Sequence, residues 1–263
     1  PSLPYFRIML HDLTNKTALV GGSTQGIGWA VALKLAERGA RVVLLARNED
    51  KLRAAAAQLP TPAQQQHTYL VADYAQPDQV AAAVNAFLAA GNTVHVLVNN
   101  TGGPAAGPLL DAQPDVFVAA FQQHLINNQR LAQAVVPGMR ASGYGRIVNI
   151  ISTSVKVPLH GLGVSNTVRA AVGNWSKTLA NELAADGITV NNVLPGATQT
   201  ERLTAIIDGR AARTGRTSAE VSQEMIDEVP MRRFAQPAEI AAAVAFLASP
   251  DAAYITGINI PVD

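Results

Sequence analysis

The sequence predicts a doubly wound α/β fold, one open parallel sheet with helices on both faces. Three observations predict it. Short runs rich in Val, Ile and Leu alternate with stretches of helical spacing along the chain. Those runs are apolar on both sides, as strands covered on both faces must be. A glycine cluster, Gly21-Gly-Ser-Thr-Gln-Gly-Ile-Gly28, stands directly between the first such run and the first helical stretch. At 263 residues the chain is long enough to bury a core without a disulfide or metal staple.

The elements follow in order. Thr17-Ala-Leu-Val20 reads as the first strand. The glycine cluster comes next, then a helix over 29–38 ended by Gly39. Residues 41–46 are the second strand, and a polar break at 47–50 opens an alanine-rich helix to Leu59. Strand three covers 67–72. Residues 76–90 carry Val80, Val84, Phe87 and Leu88 at helical spacing, and strand four covers 94–98. A helix is expected over 116–139, broken at Pro137. Strand five covers 146–151. Val168, Val172, Trp175, Leu179 and Leu183 make the apolar stripe of the next helix. Strand six covers 188–193. Pro237 marks a helix start ahead of Ile240, Val244 and Leu247, and a last strand covers 255–261. No linker or repeat divides the chain, so one domain is expected over 13–263 behind an N-terminal extension at 1–12. Met9 is a candidate natural start, which makes 1–8 a leftover extension. The polar stretch 200–233 is the least regular and reads as a substrate-covering segment or a plain surface excursion.

Composition removes several function classes. With no cysteine there is no disulfide framework, thiol nucleophile or thiolate zinc site. No His-x-x-x-His or carboxylate group stands at ligand spacing, so no metal is expected. Lys plus Arg is 20 and Asp plus Glu is 19, which gives no basic excess for nucleic acid. No apolar run of eighteen residues is available to span a membrane. The apolar first ten residues lack a basic leader, and with no cysteine this places the chain in the cytoplasm. Charged residues are 15% against 48% hydrophobic, which fits surface buried between the subunits of a homo-oligomer.

The glycine cluster carries the first chemical signal. Glycine permits a tight turn and lets a pyrophosphate approach backbone N–H groups at a positive helix N-terminus. In this strand–turn–helix setting it points to a dinucleotide, held by Gly22, Ser23, Gly26, Ile27 and Gly28. A bare structural turn is the alternative. At the end of strand two a carboxylate would hold a free ribose 2′-hydroxyl. Ala46 stands there, followed by Arg47, which favours NADP(H) over NAD(H) through a paired 2′-phosphate. Arg47 as a solvated surface cation is the alternative.

The glycine spacing, Gly-x-x-x-Gly-x-Gly, resembles that of the short-chain dehydrogenase/reductase family, a Rossmann-type fold. Further matches follow in order over 13–263. Asp73, with Tyr74 beside it, ends strand three, where the family has an aspartate beside the adenine. Asn99-Asn-Thr-Gly102 resembles the family's Asn-Asn-Ala-Gly. Gly145-Arg-Ile-Val-Asn-Ile-Ile-Ser152 resembles the strand that delivers the active-site serine. Pro195-Gly196, with Thr198 and Thr200, resembles the turn at the nicotinamide. Residues 255–263 resemble the C-terminal strand.

The resemblance implies a catalytic tetrad, and here the chain departs. The serine matches Ser152. The tyrosine position holds Ser165 and the lysine position Arg169, in a register fixed by Trp175-Ser-Lys-Thr-Leu-Ala-Asn-Glu-Leu183. Counting back from Pro137, the asparagine position holds His124, with Asn127 and Asn128 close by. A branch of the family with Ser-Asn-x-x-Arg-Ala resembles this chain, as does Thr101-Gly-Gly-Pro104. An aliphatic hydroxyl is far less acidic than a phenol. Arginine keeps the positive charge and also offers a fork for ribose hydroxyls or an anion, so Arg169 is a candidate in both roles. His160 and His124 are candidate replacement acids, because histidine titrates near neutrality. Each has an ordinary structural alternative.

The expectation is an NADP-dependent oxidoreductase acting on a carbonyl or alcohol, with an atypical proton donor. Two alternatives stay open: a nucleotide-binding homologue with little turnover, serving as sensor or partner subunit, and a non-redox enzyme reusing the pocket. The loops around 103–112, 153–163 and 200–230 are mostly small and apolar and suggest a non-ionic small-molecule substrate.

Overall fold

The computed structural model describes residues 12–263. All of the expected extension except Asp12 lies outside the described residues, Met9 included. Seven strands are present: β1 (Thr17–Gly21), β2 (Arg41–Ala46), β3 (Thr68–Val71), β4 (Val96–Asn99), β5 (Gly145–Ile150), β6 (Ile188–Pro195) and β7 (Asn259–Val262). They form one sheet in the order β3-β2-β1-β4-β5-β6-β7, every neighbour parallel. The helices are α1 (Gly26–Glu37), α2 (Glu49–Gln58), α3 (Pro77–Ala89), α4 (Pro114–Phe121), α5 (Asn127–Ser142), α6 (Gly163–Leu183), α7 (Glu201–Thr214), α8 (Ser218–Glu228) and α9 (Pro237–Ala248).

Successive strand residues point to opposite faces, so the apolar runs feed two cores. Val42 and Leu44 join Val31 and Leu35 of α1 and Ile240, Val244 and Leu247 of α9. Val43 and Leu45 join Val80 and Val84 of α3 and Leu131, Val135 and Met139 of α5. This is the doubly wound arrangement expected from strands apolar on both sides.

Polar residues also cross the sheet. Asn99, Asn149, Asn192 and Asn259 are paired in register on β4, β5, β6 and β7. Asn99 Nδ2 donates to Asn149 Oδ1 at 2.8 Å, Asn149 Nδ2 to Asn192 Oδ1 at 2.9 Å, and Asn192 Nδ2 to Asn259 Oδ1 at 2.7 Å. The ladder lies beneath the cleft described below and locks the strands that carry its rim.

Three expectations need correction. The helix over 116–139 does not break at Pro137, which lies inside α5. One lost N–H bond does not unwind a helix whose Leu131, Val135 and Met139 are buried. The stop signal is Gly143, left-handed at φ +63°. The interruption falls earlier, as a π turn at Gln122–Ile126. The last strand starts at Asn259, because residues before it turn through Gly257 at φ +71°. The stretch 200–233 is regular: α7 is capped by Thr200 and α8 by Thr217. Leu203, Ile207, Ala211 and Val221 give this helical pair its own small core. Arg210 and Arg216 both bind Glu224 and tie α7 to α8.

Candidate active site

Strand order reverses between β1 and β4, and a parallel sheet opens a crevice there at its carboxyl edge. A cleft of about 1220 Å³ occupies this place. It runs from the glycine turn after β1, past the end of β2, to the start of α6, with α7 and α8 over it.

The glycine turn is built for close approach. Gly22 and Gly26 have φ of +54° and +55°, where a side chain is strained. A Cβ on Gly28 would lie 2.1 Å from the Gly22 carbonyl oxygen. Asn100 Nδ2 donates to Gly21 O at 3.0 Å and fixes the turn from beneath. Gln25 provides no side-chain cap to α1, so its first N–H groups are left for an anion. Gly22, Gly26, Ile27 and Gly28 line the cleft. Ser23 does not: it is fully buried, and its Oγ accepts from Leu45 N at 3.0 Å. It pins the turn to β2.

At the end of β2 the cleft is lined by Ala46, Arg47, Asn48 and Lys51. Asn48 caps α2 by accepting from Lys51 N, which brings Lys51 one turn along, beside exposed Arg47. Asp73 lines the same end and accepts from Ala75 N at 2.9 Å. Tyr74 is the one tyrosine among the described residues that lines the cleft. It lies buried under the turn, where a Cβ on Gly21 would be 2.2 Å from its hydroxyl. Burial pushes that phenol well above its usual range, so it is no acid–base group. Asn99 does not line the cleft and belongs to the asparagine ladder.

The other end gathers the chemistry-bearing residues. Ser152 ends the β5 connection, and its Oγ accepts from Ser154 N at 3.1 Å. Ser165 and Arg169 stand one turn apart on α6, and both line the cleft. Arg169 Nη1 donates to Ile150 O at 2.7 Å. Gly102 also lines it, and a Cβ there would meet nothing within 4 Å. Pro195 and Gly196 form the opposite rim. Thr198 Oγ1 donates to Gly196 O at 3.1 Å, and Thr200 Oγ1 to Thr198 O at 3.2 Å. Arg202 follows and donates through Nη2 to Pro104 O at 2.5 Å.

The two histidine candidates are placed differently. His160 is exposed and does not line the cleft. His124 is buried in the π turn, and its Nε2 has no partner. Burial, then the charges of Arg169 and Arg202, push His124 down to about 2, so its imidazole is neutral. Asn127 does not compete for its position, because its Nδ2 donates to Tyr74 O at 2.8 Å. Asn100, Lys51 and Arg202 were missed from sequence. Asn100 stood inside a quoted motif and Lys51 one turn beyond Arg47. Arg202 carried no local signal, since its partner Pro104 is 98 residues away.

Residues 22–263 match the family model described as enoyl-(acyl carrier protein) reductase. A 3-oxoacyl-[acyl-carrier-protein] reductase FabG of Vibrio cholerae is 33% identical over 259 residues, covering 96% of this chain and 97% of that protein. The L-sorbose reductase of Gluconobacter frateurii, solved with NADPH and L-sorbose, superposes with a TM-score of 0.89 at 33% identity, covering 97% of each chain. A xylitol dehydrogenase bound to NAD+ superposes at 0.88 with 29% identity, covering 95% of this chain and 98% of that one.

Proposed function

Because this chain belongs to the short-chain dehydrogenase/reductase family, we propose that it is an NADP(H)-dependent reductase of a small carbonyl compound. The carrying observation is one cleft that joins a phosphate-binding turn to Ser152, Ser165 and Arg169. The turn Gly22–Gly28 would hold the pyrophosphate, Asp73 would face the adenine, and Arg47 with Lys51 would take the 2′-phosphate. Gly102, Pro195, Gly196, Thr198 and Thr200 would flank the nicotinamide, which when bound supplies a hydride to the carbonyl carbon. The FabG relative and the NADPH-bound sorbose reductase support this reading; the NAD+-bound neighbour leaves the 2′-phosphate contact as the deciding feature.

The protein's own part is charge and proton handling. The Ser152 hydroxyl points a donor at the carbonyl oxygen. Arg169 keeps its charge at neutral pH and stabilises that oxygen as it becomes negative. Ser165 cannot be tuned as a phenol is. It relays a solvent proton to the oxygen, which completes the alcohol. His124 is buried and neutral, and His160 stands outside the cleft, so neither is given this step.

The test is NADPH oxidation across a panel of aldehydes, ketones and oxo acids. Ser152→Ala should lower turnover by about 10²-fold or more, and the paired change Ser165→Tyr with Arg169→Lys should raise it, since general acid–base catalysis is worth about 10²–10⁴-fold. Among the described residues no tyrosine but buried Tyr74 lines the cleft, which favours a second reading, a nucleotide-binding homologue with little turnover. Tight NADPH binding with no oxidation by either protein would select it.

A further inference from the structure

Two guanidinium groups meet at the substrate end of the cleft, and among the described residues no carboxylate is paired with either. A Cβ on Gly103 would lie 3.5 Å from Arg202 Nη2 and 3.7 Å from Arg169 Nη2. The two side chains arrive from different elements, α6 and α7. Each is fixed by one backbone carbonyl, Ile150 O for Arg169 and Pro104 O for Arg202. Neither joins an ion pair among the described residues, whereas eight other arginines do.

None of the carboxylates that line the cleft is ion-paired to either arginine among the described residues. Asp73 is at the adenine end, and Glu201 accepts from Gln25 Nε2 at 2.8 Å. Glu228 is exposed at the end of α8, and Asp263 lies against Gly196. Bringing two like charges together in a partly desolvated cleft is unfavourable unless an anion joins them. Burial lowers Arg202, and burial, with the Arg202 charge second to it, takes Arg169 down to about 10. The third group near them is His124, 2% exposed, with Nε2 unpartnered.

We propose that Arg202 and Arg169 hold the carboxylate and oxo oxygen of the substrate, which is a short oxo acid. This rests on the reductase reading and names its substrate class. Both guanidiniums approach one point at Gly103, so the acid and the oxo group must be close in the substrate. A 2-oxo or 3-oxo acid meets that condition, and a 5-oxo acid does not. The expectation of a non-ionic substrate, drawn from small apolar loops, is thereby replaced. Loop composition could not register two cations delivered from helices on either side.

The first arm of the test reads binding alone. The NADPH-loaded protein is titrated calorimetrically with hexanoate and with hexanamide. Hexanoate should bind and hexanamide should not. Arg202→Gln should weaken hexanoate about ten- to a hundredfold, the range for a charged hydrogen bond, and leave NADPH affinity within about twofold. Arg202→Lys should recover part of the loss, and unchanged NADPH affinity shows that both variants are folded. The second arm compares 2-oxo- and 3-oxohexanoate with their methyl esters and with 5-oxohexanoate. The two acids should be favoured in kcat/KM by about tenfold or more, and Arg202→Gln should erase that preference. Equal use of acid and ester overturns the proposal. So does an Arg202→Gln loss shared equally by NADPH, which would put Arg202 in the cofactor site. If hexanoate binds through Arg202 while no carbonyl compound is reduced, the carboxylate site stands and the reductase reading alone falls.

Discussion

Arg47 and Lys51 provide the sharpest test of cofactor choice, because both line the cleft at the end of β2 and neither is ion-paired among the described residues. A 2′-phosphate distinguishes NADPH from NADH at this one place. A hydrogen bond to a charged group contributes about 1.5–3 kcal/mol when protected from water. Arg47 is exposed, so the lower end applies, about 1–1.5 kcal/mol, or roughly five- to tenfold in Kd. Lys51 is an exposed point charge without a planar fork, and about 0.5–1 kcal/mol is expected for it alone. Each single variant leaves the other cation to take up the phosphate, so the double variant should lose more than the sum. Arg47→Ala with Lys51→Ala should weaken NADPH by about 2–3 kcal/mol and change NADH by less than a factor of about two. The assay is fluorescence titration of both nucleotides against all four proteins. Repeating it at high salt should shrink the NADPH loss, because exposed charges are screened. Equal losses for NADH and NADPH would remove both side chains from the phosphate site. A double variant indistinguishable from Arg47→Ala would remove Lys51.

Three further outcomes are expected. Gly28→Ala forces a Cβ to 2.1 Å from the Gly22 carbonyl and should cost at least about tenfold in NADPH affinity with a lower Tm; Gly102→Ala, with open space around it, should weaken NADPH at unchanged Tm. His124 sits in the folded state far below its ordinary 6.5, so it stays neutral while the unfolded chain takes a proton. Its share of stability is complete above that value and falls as pH drops toward 2; His67 and His95 are lowered too and act in the same direction. His124→Gln should therefore narrow the gap in urea unfolding free energy between pH 7 and pH 5 by about 2 kcal/mol, and identical acid limbs would refute this. Val116, Val118 and Ile126 leave an apolar strip exposed on α4 and the π turn, which suits pairing with a second copy. Sedimentation should show a dimer or tetramer that Val118→Glu weakens; a monomer at micromolar concentration refutes it.

What the sequence disclosed follows from how far each signal reaches. The sheet was legible because each strand carries its burial in its own few residues, as the split of Val42 and Leu44 from Val43 and Leu45 shows. The glycine turn was legible for the same reason: Gly22, Gly26 and Gly28 lie within seven consecutive residues. Ser23 and Asn99 were misread as ligand-facing because a motif fixes position along the chain and not the direction of a side chain. Successive residues of a strand end alternate between cleft and sheet, so Asn99 enters the ladder while Asn100 reaches the turn. Helicity over 200–233 was missed because its apolar stripe is short and its polar face wide. The caps at Thr200 and Thr217 were the available signal.

The catalytic end is the part that sequence could describe only by what it lacked. Ser165 and Arg169 stood out as departures from a family pattern, and the natural search was for a replacement acid among nearby histidines. The proposed site turns that search from acidity to charge. Burial, and after it the charges of Arg169 and Arg202, hold His124 neutral, so it does not donate protons there. Arg202 adds its charge from across the cleft. With a tyrosine present, a reductase lowers its barrier by delivering a tuned proton as charge builds on oxygen. With Arg169 beside that oxygen and Arg202 on the substrate's acid group, the proposed site would stabilise the same charge before any proton arrives, and the proton would follow from water through a hydroxyl too weak to lead. On the proposed reading, Ser-x-x-x-Arg in place of Tyr-x-x-x-Lys shifts which step carries the stabilisation, and it calls for a substrate whose own anion holds the second arginine in place.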